Sequence, residues 1–129
     1  MSFWLEGHTK SVNCALIAPN RNYLFTGSRD KTIRVWNLYE KGKVHDVLKK
    51  HNNAVTCLAM MKRGTYLLSG SSDKSICIWA ITYSKKGSKI LKIKLERCLS
   101  NAHDEAITCI LSSQNHENLF ITGANDHII

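Results

Sequence analysis

At 129 residues, with 43% hydrophobic residues and a single proline, the chain is long enough to bury one core of ordinary size and too apolar for a disordered tail. Eighteen Lys and Arg against ten Asp and Glu leave a net charge of +8, which favours acidic partners, nucleic acid among them, and says nothing about fold. No run approaches the ~20 apolar residues of a membrane helix and residues 1–8 hold no apolar leader, so the expectation is a soluble protein of the cytosol or nucleus, with no membrane partner.

Taken in order, the apolar runs are short and bounded by polar turns, as strands are. Residues 12–18 (VNCALIA) predict a first strand and PNRN a turn. Residues 23–28 (YLFTGS) predict a second strand, RDK a tight turn, residues 32–38 (TIRVWNL) a third strand and residues 44–48 (VHDVL) a fourth. The pattern returns as AVTCLAMM, YLLSGS and SICIWAI, followed by a longer tail ending near Leu99, and then as AITCIL and LFITGA. Gly27, Gly70 and Gly123 precede the turns, where a missing side chain permits close backbone approach. Cys14, Cys57 and Cys109 fall at the same place in each copy (VNC, VTC, ITC) and no CxxC pair occurs, so they read as small core side chains rather than metal ligands or disulfides.

The spacing of polar residues repeats with the strands. His8 and Asp30 stand 22 positions apart, His51 and Asp73 also 22, and His103 and Asp126 23. Trp36 and Trp79 each follow their Asp by six. A hairpin copied at a period of 43 and then 52 residues signals a repeat protein.

GH at Gly7-His8, SRDK at the first turn and VWN at its end resemble the GH…D…WD signature of the WD-repeat β-propeller family across essentially the whole chain. WD is WN at Trp36-Asn37 and WA at Trp79-Ala80, and GH is KH at Lys50-His51 and AH at Ala102-His103. The resemblance implies an all-β partial propeller of four-stranded antiparallel blades, about two and a half repeats. These would span residues 7–49, 50–101 and 102–129, the last truncated, with residues 1–6 as an outer closing strand. It also implies a hydrogen-bonded tetrad in each repeat: His8, Thr26, Asp30 and Trp36; His51, Ser69, Asp73 and Trp79; and His103, Thr122 and Asp126. Asp, His and a hydroxyl also make hydrolase triads, but a triad occurs once at a cleft, whereas this set recurs and is tied to an indole. No nucleophile elbow, phosphate loop or metal-ligand cluster appears elsewhere, so neither an enzyme nor a cofactor is expected.

Recognition would then rest on surfaces. In the family, partners often sit on the narrow face at the top of the ring. The matching positions are Ser11, Asn13 and Arg29; Ala54, Thr56 and Ser72; and Ala106, Thr108 and Asn125. Arg29 stands out for its planar five-donor fork. The segment YSKKGSKILKIKLER, with Lys85, Lys86, Lys89, Lys92 and Lys94, reads either as a basic ribbon for RNA, DNA or an acidic peptide or as a solvated hairpin whose apolar residues pack or cover an edge with charge. The expected function is a protein-interaction scaffold binding proteins or peptides. The alternatives are a nucleic-acid-associated ribonucleoprotein subunit or the targeting module of a larger ligase or kinase. A ring needs ~4–8 blades, so the chain is expected to be part of a longer protein, or to complete a ring with copies of itself or another propeller fragment.

Overall fold

A computed structural model of the chain describes residues 5–112 and 120–124, without the side chains of Ser112, Phe120 and Ile121. Most of the expected closing strand at residues 1–6, together with Asn125 and Asp126, lies outside the described residues. The described chain forms antiparallel sheets. β1 (Val12–Ile17), β2 (Tyr23–Ser28), β3 (Thr32–Asn37) and β4 (Lys43–Lys49) make one four-stranded meander. β5 (Val55–Met61), β6 (Tyr66–Ser71), β7 (Ile76–Tyr83) and β8 (Ile90–Leu99) make a second, and β9 (Ile107–Ser112) pairs with β10 (Phe120–Ala124). This is the all-β, four-stranded architecture of a partial propeller.

Local chemistry sets the strand ends. β3 stops at Asn37 because its side-chain oxygen accepts from the Tyr39 and Glu40 amides (2.9 and 3.3 Å), closing a single 3-10 turn over Leu38–Glu40. Lys41 and Gly42 then reverse the chain in left-handed conformations (φ 55° and 81°). β7 runs two residues past the expected end. Its partner β8 is the expected tail, and the two pair from Ile76↔Leu99 to Tyr83↔Ile90. Ile90 is buried and Ile93 and Leu95 pack against the core, so most of the apolar residues of the Lys-rich segment cover the sheet, while Leu91 points to solvent.

The sheets meet by inserting one side chain into a gap. A Cβ on Gly27 would lie 2.5 Å from a Val55 methyl and 2.7 Å from the Cys14 sulfur. Glycine there lets Val55 rest on the backbone of β2, where it is fully buried, a gain of about 1.5–3 kcal/mol for such a side chain. The joint recurs between the second sheet and β9: a Cβ on Gly70 would lie 2.6 Å from both the Cys57 sulfur and a methyl of Ile107, again fully buried. Tyr23, Phe25, Ile33 and Val35 of the first sheet and Leu67 of the second complete the core around the first joint.

The shared cysteine position does not give three core thiols. Cys57 is buried, Cys14 half-buried and Cys109 exposed. Cys57 lies under Ile107, whereas beyond Cys109 no further sheet stands among the described residues. Burial pushes the Cys14 thiol up to about 11, so it stays protonated and inert.

Candidate functional site

Two constellations carry the polar chemistry: a repeated side-chain network at one end of each sheet and the charged turns around it. In the first repeat the Trp36 indole N–H donates to Thr26 Oγ1 (2.8 Å), which lies 2.7 Å from His8 Nε2; His8 Nδ1 lies 2.8 Å from Asp30 Oδ2. The direction of the chain follows from its ends. Indole only donates and carboxylate only accepts, so the Thr26 hydroxyl donates to Nε2 and the His8 proton sits on Nδ1. The His8 and Trp36 rings meet edge to face, 6.2 Å between centroids. The second repeat copies the path: Trp79 to Ser69 at 2.9 Å, Ser69 to His51 at 2.8 Å, and His51 to Asp73 at 3.1 Å. In the third, His103 Nε2 lies 2.8 Å from Thr122 Oγ1; its Asp126 falls outside the described residues.

Several members of the network were not legible as such in the sequence. The Thr32 and Ser75 hydroxyls donate to Asp30 and Asp73, each 2.5 Å away. The backbone amides of Thr9 and Asn52 bond the other carboxylate oxygen (3.1 and 2.9 Å). Ser28 and Ser71, both fully buried, accept from the Asp30 and Asp73 amides (3.1 and 3.0 Å) and donate to carbonyls just before β1 and β5. The signal was present as the repeated TGS and SGS, of which the first hydroxyl alone belongs to the tetrad; the third copy, TGA, drops the second.

The electrostatics follow the burial. At Asp30, burial pushes the carboxyl up. Hydrogen bonds from the Thr32 hydroxyl, His8 and the Thr32 and Thr9 amides outweigh it and hold the group at about 2. Asp73 is likewise lowered: burial raises it, and Ser75, the Asn52 amide and His51 together lower it by more. His51 is lowered because burial outweighs the attraction of Asp73, which keeps it neutral at pH 7. The arrangement fixes protons. The Thr26 and Ser69 hydroxyls are buried, and each already accepts from an indole and donates to an imidazole, so neither is presented to a substrate.

The candidate recognition positions divide into two groups. The Arg29 amide bonds the Ser11 carbonyl (3.0 Å) and the Ser72 amide bonds the Ala54 carbonyl (3.0 Å), so each pair sits side by side at its sheet's turn end, with Arg29 exposed. Asn13 and Thr56 also bond across the joints. Asn13 Nδ2 donates to the Val55 carbonyl (3.1 Å) and the Thr56 hydroxyl to the Ile107 carbonyl. Each thus latches one sheet to the next, because the bulge between Val12 and Cys14, repeated between Val55 and Cys57, lies at the joint, while Asn13 stays exposed and Thr56 half-buried. Thr108 bonds the Gly123 carbonyl (3.1 Å) and remains exposed, Ala106 is half-buried, and Asn125 is outside the described residues.

The Lys-rich segment is split by the structure. Lys92 and Lys94 lie exposed along β8, the edge strand of its sheet, whereas Lys85, Lys86 and Lys89 occupy the β7–β8 turn at the end opposite the network. Among the described residues no group of three His, Cys, Asp or Glu side chains could hold a metal, and no helix is long and apolar enough to cross a membrane.

Comparison with known proteins agrees with this geometry. The family model described as "WD domain, G-beta repeat" matches residues 2–37, 42–80 and 94–129. The chain is similar to NACHT domain- and WD repeat-containing protein 1 of Mus musculus, 43% identical over 42 residues, a stretch of 33% of this chain and 3% of that protein. It is also similar to Mitochondrial division protein 1 of Candida glabrata, 34% identical over 50 residues, 34% of this chain and 7% of that protein. The matched stretches are thus small parts of the curated relatives.

Proposed function

The chain belongs to the WD-repeat family, whose domains generally serve as scaffolds for protein interaction, and on that premise we propose that it is a non-catalytic adaptor presenting the turn end of its sheets to other proteins or peptides. The carrying observation is that the Asp–His–hydroxyl–Trp set recurs in buried form, with its hydroxyls sealed by indole and imidazole. Such a set rigidifies each sheet and leaves the turns beside it, with Arg29 and Ser72, as the presented surface. Residence in the cytosol or nucleus fits that role. Further blades, from the same polypeptide or another, would cover the outer faces of the first sheet and of the β9–β10 pair.

Affinity capture with the tagged chain tests the reading. Partners held by the native surface should fall at least about tenfold, equivalent to ~1.4 kcal/mol, in the double variant Arg29→Glu/Ser72→Glu, while the melting curve stays unchanged. A partner set that survives this variant places recognition elsewhere.

A further inference from the structure

The net charge of the molecule is gathered at the end opposite the network. Because successive strands reverse direction, the β1–β2, β3–β4, β5–β6 and β7–β8 turns share that end. They and the adjoining first residue of β4 carry Arg21, Lys41, Lys43, Lys85, Lys86 and Lys89, besides the Lys62-Arg63 pair, and among the described residues Glu40 is the acidic group within these turns. The other end mixes signs: Lys10, Arg29, Lys31, Lys49, Lys50 and Lys74 share it with Glu6, Asp30, Asp73, Asp104 and Glu105.

These basic turns are tied into one platform across two sheets. Asn20 Nδ2 donates to the Gly87 carbonyl (3.0 Å) and Asn22 Nδ2 to the Ser88 carbonyl (3.0 Å), fastening the β7–β8 turn to the β1–β2 turn. Tyr83 Oη donates to the Gly64 carbonyl (2.6 Å), and a Cβ on Gly64 would lie 2.8 Å from Pro19, which locks the β5–β6 turn to both. The Ile90 amide donates to Tyr23 Oη (3.0 Å), and beside it Lys43 and Lys89 line one cleft between the sheets. The lysines of the β7–β8 turn make no ion pair among the described residues. Arg21 and Lys41 hold left-handed backbone (φ 61° and 55°), where glycine or asparagine would be less strained.

We propose that this cross-tied platform binds the phosphate backbone of RNA without reading its sequence. The charges are spread over two sheets rather than converging on a pocket, which suits an extended polyanion and not a single phosphate. The apolar residues of the turns are the buried Ala18, the half-buried Leu38 and the exposed Pro19 and Tyr39, against eight Lys and Arg, so charge outweighs apolar surface at this end. The amides that would read base edges, Asn20 and Asn22, are occupied by the Gly87 and Ser88 carbonyls. The platform lies away from the surface assigned above to protein partners, so the two readings stand or fall separately.

Fluorescence anisotropy with labelled oligouridylate, measured from about 50 to 200 mM salt, tests the platform. Binding should weaken with salt. Neutralising the hairpin (Lys85→Gln/Lys86→Gln/Lys89→Gln) should lower the slope by about 2 and the affinity at 0.1 M salt ~100-fold, at ~0.7 per phosphate contact. Arg21→Gln/Lys43→Gln, on the other sheet, should weaken binding too, and so should Asn20→Ala/Asn22→Ala, which leaves every charge in place. Lys31→Gln/Lys49→Gln/Lys50→Gln, at the opposite end, should not. An equal loss in that last variant would reduce the effect to net charge and overturn the platform. Tighter binding to phosphatidylserine vesicles or polyglutamate than to oligouridylate would overturn the assignment to RNA. Should the Asn20/Asn22 variant fail to fold, the charge-neutralising variants at the two ends still separate a platform from net charge.

Discussion

At the scale of single residues, the network makes folding depend on pH in two separate windows. His51 binds its proton less readily folded than unfolded, because burial dominates over Asp73. A depressed histidine contributes stability that is complete above the ordinary value near 6.5 and is lost as pH falls toward the lower, folded value. Asp30 is depressed from 3.8 to about 2, so its contribution is complete above about 4 and disappears as pH falls through about 2. Asp73 shifts the same way. The melting temperature should therefore be level from pH 8 to 7, decline from about pH 6.5 and decline again below about 4. His51→Gln should lower stability at pH 7 and flatten the first decline while leaving the second, as thermal unfolding followed by tryptophan fluorescence would register. A native melting curve that stays level down to pH 5 would mean His51 is not buried against Ser69 and Asp73 as described. The residues of this network were legible in the sequence because a fixed spacing repeats. Thr32, Ser75, Ser28 and Ser71 were less so, since a serine in a turn looks alike whether it faces water or a buried carboxylate.

At the scale of elements, what the sequence displayed best was strand identity, and what it hid was which strand faces meet. YLFTGS and YLLSGS are short, largely apolar runs bounded by turn residues, and they became β2 and β6 with the expected bounds. β8 was harder to see. Its lysines alternate with Ile93 and Leu95, a pattern that fits a half-buried edge strand as well as a charged surface ribbon. Asn13 and Thr56 stood inside expected strands as candidate contact residues, and only the meeting of two sheets shows their hydrogen bonds to carbonyls across the joint. The joint itself makes a measurable claim. In Gly70→Ala the added methyl would stand 2.6 Å from Cys57 Sγ and an Ile107 methyl, so the sheets must separate. The expected loss is about 1–3 kcal/mol, as for overpacked cores. Ile107→Ala in the same chain should recover part of it, giving a coupling of at least ~0.5 kcal/mol in a double-mutant cycle by urea unfolding. Gly123→Ala should cost less, because among the described residues its Cβ would meet Cys109 Sγ alone, at 2.8 Å. Equal costs at Gly70 and Gly123 would show that the second sheet and β9 are not joined through this glycine.

At the scale of the whole molecule, the two outer faces are copies of the surfaces buried inside it. Val12 and Ile17 are 52% and 57% exposed, while Val55, the counterpart of Val12, is fully buried against Gly27. At the other extreme, Leu111 is 67% exposed and Cys109 is open, although Ala59 and Cys57 at the corresponding positions are buried. One face thus presents a valine without a receiving gap, and the other presents Cys109 with no side chain inserted against Gly123 among the described residues. The two are complementary and unlike, which makes a heterologous, head-to-tail contact possible between copies. Where no other blade covers these faces, mass measured by light scattering should rise with concentration, and Val12→Asp should abolish the rise. That substitution should leave the melting curve of the isolated chain nearly unchanged, within about 0.5 kcal/mol, since it alters an exposed position. Val55→Asp, the same chemistry at the matching place one repeat later, should unfold the first joint by burying an unpaired carboxylate. The contrast separates an exposed interface from a core: if Val12→Asp destabilises the isolated chain as severely as Val55→Asp, the first face is already covered from within. If instead the mass stays that of one chain at every concentration, these faces do not recognise one another, and ring completion between copies is excluded.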